Sequence, residues 1–156
     1  LKYQGIQDVA KSLGRLLVSA VQEALSEVEP CSIEFVVIPL PLHARRLRER
    51  GYNQAELLAR EVSIALNFDM RTNILIRTKN TSQQVGLSGD ERRENIKGAF
   101  AVPLLSKERL GEVFLQGKTI LLVDDVVTTG ATLNEAAKVL KKAGVKAVWG
   151  LVVARG

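Results

Sequence analysis

Residues 120–133 read ILLVDDVVTTGATL, and this stretch decides the fold. The near-continuous apolar run Lys118 to Val123 has the character of a strand buried on both faces, as the inner strands of parallel sheets are. Asp124 and Asp125 end that run, and a turn rich in threonine follows. Gly130 to Ala143 then places Leu133, Ala136, Ala137 and Leu140 at helical spacing, with Gly144 as the stop. Lys146 to Val153 supplies a final buried strand. Sheets built this way bind ligands at the carboxyl ends of their strands, which is where the acidic pair and the turn emerge.

Each part of the stretch has a chemical use. Consecutive main-chain N–H groups in such a turn, with the first turn of the following helix, form a concave anion site at the positive end of the helix dipole. The hydroxyls of Thr128, Thr129 and Thr132 add donors, and Gly130 lets the backbone approach a ligand without a Cβ. Asp124 and Asp125 repel a phosphate, so they should meet hydrogen-bond donors instead: sugar hydroxyls or a metal-bound water. A sugar phosphate satisfies both halves. Two rival phosphate motifs fail. Gly117-Lys118-Thr119 looks like the end of a P-loop, but Gly111 is one residue too far upstream and a strand follows instead of a helix. No GxGxxG follows any strand.

Working outward, Val9 to Val28 carries apolar residues at three and four spacings (Val9, Leu13, Leu16, Leu17, Ala20, Val21, Ala24, Leu25), which predicts a helix stopped by Pro30. Glu34 to Leu40 predicts a buried strand that ends in a proline-flanked, arginine-rich loop. Asn53 is placed to cap a helix to about Leu66, with Ala55, Leu58, Ala59, Val62 and Leu66 facing inward. A short strand is expected around Ile74 to Arg77, then a long polar connection from Thr78 to Lys97 without helical or strand period, then Ala99 to Val102 and a variable stretch from Pro103 to Gln116. Alternating strands and helices imply right-handed crossovers: an α/β fold with a mainly parallel central sheet flanked by helices.

The bulk properties agree. At 156 residues the default is one domain spanning 1–156, with 46% hydrophobic and 25% charged residues, the balance of a globular protein. No apolar run approaches the roughly 20 residues of a membrane-spanning helix, so no membrane insertion is expected. One cysteine, Cys31, and one histidine, His43, exclude a disulfide framework or a Cys/His zinc site built by this chain alone, and the expected compartment is the cytoplasm. The formal charge of +5 points to an anionic partner, a phosphorylated small molecule or nucleic acid. The chain begins at Leu1 without Met, which suggests a fragment.

VDDVVTTGATL resembles the phosphoribosyl pyrophosphate (PRPP) motif of type I phosphoribosyltransferases. That resemblance implies their fold, including a small hood and a flexible loop, with residues 1–30 as the N-terminal helix and hood region. It implies that Asp124 and Asp125 hold the ribose hydroxyls as catalytic residues, while Val126, Val127, Thr128, Thr129, Gly130, Ala131 and Thr132 form the PRPP-binding turn around the 5-phosphate. The corresponding pyrophosphate loop falls on Leu42, His43, Ala44, Arg45 and Arg46, where guanidinium groups suit pyrophosphate oxygens.

PLPLHARRLRERGYNQAELLAR, residues 39–60, is similar to the ComF-type competence family, which shows PLPLHxxRxxxRGFNQAELLA, with Tyr52 here in place of Phe. RTKNTSQQVGLSGDERRENIKGAF, residues 77–100, matches that family's QxxLxxxERxxNxxGAF at Gln84, Leu87, Glu91, Arg92, Asn95, Gly98 and Phe100. In type I phosphoribosyltransferases this connection is a loop that closes over PRPP, which makes Arg77, Lys79, Arg92 and Arg93 its candidate basic residues. The resemblance implies transfer of phosphoribose from PRPP to a nitrogen acceptor, with Mg2+ as cofactor and no direct protein ligand, Asp124 and Asp125 reaching it through water. It also implies a link to natural transformation, with single-stranded DNA and competence-machinery proteins as further partners. A non-catalytic or DNA-binding module is the alternative. Many ComF-type proteins begin with a Cys-rich zinc ribbon, and this sequence has none.

Overall fold

A computed structural model describes residues 2–27, 33–81, 89–103 and 114–156. Pro30, Cys31, Gln84 and Leu87 lie outside them. The helices are α1 (Lys2–Ser26), α2 (Ala44–Arg50), α3 (Gln54–Leu66), α4 (Gly89–Ile96) and α5 (Ala131–Lys142). The strands are β1 (Phe35–Pro39), β2 (Asp69–Met70), β3 (Ile76–Arg77), β4 (Phe100–Ala101), β5 (Thr119–Val127) and β6 (Ala147–Arg155).

One sheet has the order β2-β1-β5-β6, every neighbouring pair parallel, as the alternation of strands and helices requires. Its two faces are covered separately. Val36, Ile38, Ile120 and Leu122 pack with Ala131, Ala136 and Leu140 of α5 and with Leu75, Ile96 and Phe100. Val37, Leu121 and Val123 pack with Leu17 and Val21 of α1 and Leu58, Ala59 and Val62 of α3. Each large side chain so buried contributes about 1.5–3 kcal/mol. On this second face Phe35 stacks on Phe68 and meets the edge of Trp149, both at 5.2 Å between ring centroids, which accounts for the one tryptophan as packing. A small antiparallel pair, β3 with β4, lies apart from the main sheet and joins Arg77 to Phe100 in register.

Four expectations need correction. The arginine-rich stretch is a helix, α2, capped by His43, whose Nδ1 accepts from the Arg45 N–H at 3.3 Å, and closed by Gly51 at φ 82°. It buries none of its residues, so it carries no apolar period to read. The polar connection likewise contains α4, whose one deeply buried apolar side chain is Ile96. In α1, Val9 and Leu16 are 58% and 65% exposed, because α1 lies on α3 and β6 along a narrower stripe through Ala10, Leu17 and Val21. Finally, β5 does not stop at Val123 but runs on through Asp124 to Val127, paired with β6 as far as Val127 and Arg155. Among the described residues no helix is long and apolar enough to cross a membrane.

Candidate functional site

Strand β1 stops pairing with β5 at Pro39 and Val123, so β5 projects beyond this neighbour. Past that point each acidic side chain accepts the next main-chain N–H: Asp124 Oδ1 accepts the Asp125 N–H at 2.9 Å, and Asp125 Oδ1 accepts the Val126 N–H at 2.8 Å. The two carboxylates are thereby fixed at the carboxyl end of the central strand. Both line a cleft of about 250 Å3.

The opposite walls are basic. Arg46 and Arg50, four residues apart and so on one face of α2, line the cleft with Arg77 of β3. Arg50 Nη1 donates to Gln54 Oε1 at 2.7 Å, tying α2 to the first turn of α3. Asn53 fixes the floor: its Oδ1 accepts the Ala55 N–H at 3.1 Å while its Nδ2 donates to the Leu40 carbonyl at 3.0 Å, so one buried amide caps α3 and holds the chain leaving β1.

Arg77 is half-buried, its guanidinium over the Phe100 ring at 5.6 Å and donating to Thr81 Oγ1. Its Nε is buried without a hydrogen-bond partner. Burial, then the nearby positive charge of Arg46, lower its pKa, and Asp124 opposes them. Burial pushes the Asp124 carboxyl up to about 7, with the charge of Asp125 adding to the rise, while the Asp125 N–H and Arg77 pull the other way. The cleft therefore holds a desolvated acid, Asp124, near a desolvated guanidinium, Arg77, whose Nε lacks a partner.

The turn after β5 is short. Thr128, Thr129 and Gly130 connect it to α5, Gly130 takes φ 75°, and the Ala131 N–H donates to Thr129 Oγ1 at 3.4 Å. Val126 and Val127 belong to the strand, Val126 half-exposed, while Thr132 on the first turn of α5 lines the cleft. Of the remaining expected residues, Leu42 lines the cleft, whereas His43 caps α2 and Ala44 begins it. Arg45 is paired with Glu49 at 2.9 Å, Lys79 Nζ donates to the Lys97 carbonyl at 2.7 Å, and Arg93 is paired with Asp90 at 3.0 Å. None of these three is among the cleft residues. Arg92 lies on α4 with its side chain outside the described residues. Arg50 and Gln54 join the site, and the signal for Arg50 is its spacing of four from Arg46 once α2 is recognised as helical.

Paired acids at a strand's carboxyl end, followed by a threonine-glycine turn into a helix, point to a class of protein, and known proteins similar to this chain belong to it. Residues 47–155 match the phosphoribosyl transferase domain, and the chain belongs to that family. Within it the chain is of the ComF type. It is 40% identical over 152 residues to competence protein F of Haemophilus influenzae, covering 96% of this chain and 63% of that protein. It is 34% identical over 148 residues to the DNA utilization protein YhgH of Escherichia coli K12, covering 95% and 61%. Competence protein ComFC of Bacillus subtilis is 34% identical over 110 residues, 70% of this chain and 40% of that one. The chain thus spans about three-fifths of the length of the first two relatives.

Two solved structures share the fold. The glutamine PRPP amidotransferase of B. subtilis superposes with a TM-score of 0.54 at 15% identity, over 94% of this chain and 26% of that one. Hypoxanthine phosphoribosyltransferase of Trypanosoma cruzi gives 0.52 at 14% identity, over 96% and 74%. The fold is that of the type I phosphoribosyltransferases, as the motif at residues 123–133 implied.

Proposed function

We propose that this domain binds PRPP with Mg2+ in the cleft between β5, α2 and β3 and transfers its phosphoribosyl group to a nitrogen acceptor, within a protein that serves DNA uptake. The observation that carries this reading is the pairing of Asp124 and Asp125 with a basic wall of Arg46, Arg50 and Arg77 around one cleft, which Thr132, at the end of the Thr128–Thr132 turn, also lines. The ligand must then present hydroxyls to the acids, one phosphate to the turn and further phosphate oxygens to the arginines. PRPP has all three.

The chemistry follows from charge. Displacement of pyrophosphate at the anomeric carbon builds positive charge on the sugar ring and negative charge on the leaving group. Asp124 and Asp125 orient the ribose and face the first; Arg46, Arg50 and Arg77 face the second. Among the described residues no three His, Cys, Asp or Glu side chains cluster to hold a metal alone. Magnesium commonly keeps several waters and takes substrate phosphates as ligands, and Asp124 and Asp125 would reach it through those waters. When bound with PRPP, the ion supplies charge neutralisation at the pyrophosphate. The test is a screen of nitrogenous acceptors with PRPP and Mg2+, read as pyrophosphate release. Release with one acceptor supports transfer; PRPP binding without release for any acceptor favours a binding module.

The names of the relatives, competence protein and DNA utilization protein, support the DNA-uptake setting.

A further inference from the structure

The outer face of α1 carries a pattern that the core does not use. Gly5, Val9, Ser12, Leu16 and Ser19 recur four and three residues apart, so they share one stripe of the helix, and all five are exposed. Val9 is 58% and Leu16 65% exposed, because α1 meets α3 and β6 along a different side, through Ala10, Leu17 and Val21. Small residues stand between these large apolar ones. Ser12 Oγ donates to the Asp8 carbonyl and Ser19 Oγ to the Arg15 carbonyl, each at 3.1 Å, so both hydroxyls already have acceptors within the helix. A second helix can approach Gly5, Ser12 and Ser19 closely without stranding a donor. Beside the stripe, Asp8 and Arg15 are exposed and seven residues apart, and among the described residues neither forms an ion pair.

We propose that this face of α1 pairs antiparallel with α1 of a second copy of the chain. The occupant follows from self-complementarity. Reversing an identical helix sets Val9 opposite the partner's Ser12 and Leu16 opposite the partner's Gly5, so each large side chain fills the space over a small residue, twice by symmetry. The same register brings Asp8 beside the partner's Arg15, and Arg15 beside the partner's Asp8. A parallel pairing sets large against large and small against small, and it keeps Asp8 away from Arg15. A face that matches its own reverse in both size and charge specifies a second copy as its partner. The stripe spans only about two heptads, so the dimer is weak and its population depends on concentration. No cleft residue belongs to α1, so pairing here covers neither cleft.

The experiment is sedimentation equilibrium on this chain over a concentration series from micromolar to millimolar. Wild type should pass from monomer to dimer across the series. Leu16→Glu, at an exposed position, should stay monomeric with an unchanged circular dichroism spectrum. Asp8→Arg and Arg15→Asp should each weaken dimerisation about tenfold, because reversal turns attraction into repulsion at two symmetric places. The double variant, Asp8→Arg with Arg15→Asp, should dimerise as wild type does, because the exchanged charges meet again; local damage from either substitution would not be cancelled by the other. A wild type that stays monomeric throughout, which is also the result if another segment or protein covers this face, would overturn the proposal. So would an undiminished dimer in Leu16→Glu, or a double variant no better than the single ones. The cleft takes no part, so these outcomes do not depend on whether it binds PRPP.

Discussion

Arg77 lies in the same cleft as Asp124, and each feels the other's charge, yet the Arg77 Nε is left buried without a hydrogen-bond partner. A protein selected for stability alone would not keep such a donor, because an unsatisfied buried polar group costs about 1–3 kcal/mol. Under the proposed function the missing partner is a phosphate oxygen of the ligand.

Replacing Arg77 should therefore separate stability from binding. Arg77→Met removes the unsatisfied donor and keeps the contact with Phe100, so thermal unfolding should occur at the same or a higher temperature. Affinity for PRPP with Mg2+ should fall at least tenfold in the same variant, measured by calorimetry. Arg77→Lys should recover little, because an ammonium cannot reproduce the planar fork.

Asp124 gives a pH signature. Its folded-state pKa, about 7, lies above the 3.8 of an ordinary aspartate, so between these values the folded state binds more protons than the unfolded one. Stability of the ligand-free domain is then lost as pH rises from 4 to 7. Asp124→Asn removes this dependence. Its melting temperature should exceed that of wild type at pH 8 by several degrees, at about 2–4 °C per kcal/mol, and by less at pH 4. Differential scanning calorimetry at the two pH values checks this.

Helix α1 depends on one missing side chain. A Cβ at Gly14 would stand 2.5 Å from the Cβ of Glu61 on α3, a contact that no rotamer change relieves. Gly14→Ala should destabilise the domain by about 1–3 kcal/mol despite the better helix propensity of alanine, seen as a lower urea midpoint. PRPP affinity should be unchanged, since this contact lies beneath the sheet and away from the cleft.

Gly130 is constrained by conformation. At φ 75° an alanine is strained by about 1 kcal/mol or more, and relief of that strain would move the turn that joins β5 to α5. Gly130→Ala should lower PRPP affinity by more than it lowers stability, comparing calorimetric binding with thermal unfolding.

The sheet and its two flanking layers were legible because β1, β5, β6, α3 and α5 all bury apolar residues at their natural periods; Asn53 even announced the start of α3. Helices α2 and α4 were not legible for the same physical reason: α2 buries nothing, and α4 offers little beyond Ile96, so polar sequence there looks like loop. The site was partly readable. Asp124, Asp125 and Thr132 lie in one contiguous run, and Arg46 and Arg77 were named through the family resemblance, whereas Arg50 reaches the cleft on a helix that the sequence does not announce. The overextension of the inner face of α1 to Val9 and Leu16 shows that apolar spacing alone does not give the width of a contact.

The central claim is that the acidic pair at the end of β5 holds a phosphorylated pentose. It is tested most directly by titrating PRPP with Mg2+ into wild type and into the Asp124→Asn, Asp125→Asn double variant by isothermal calorimetry. Saturable one-site binding by wild type, lost in a double variant that still unfolds cooperatively, is the expected result. Undiminished binding by the double variant, or none by wild type, would contradict it.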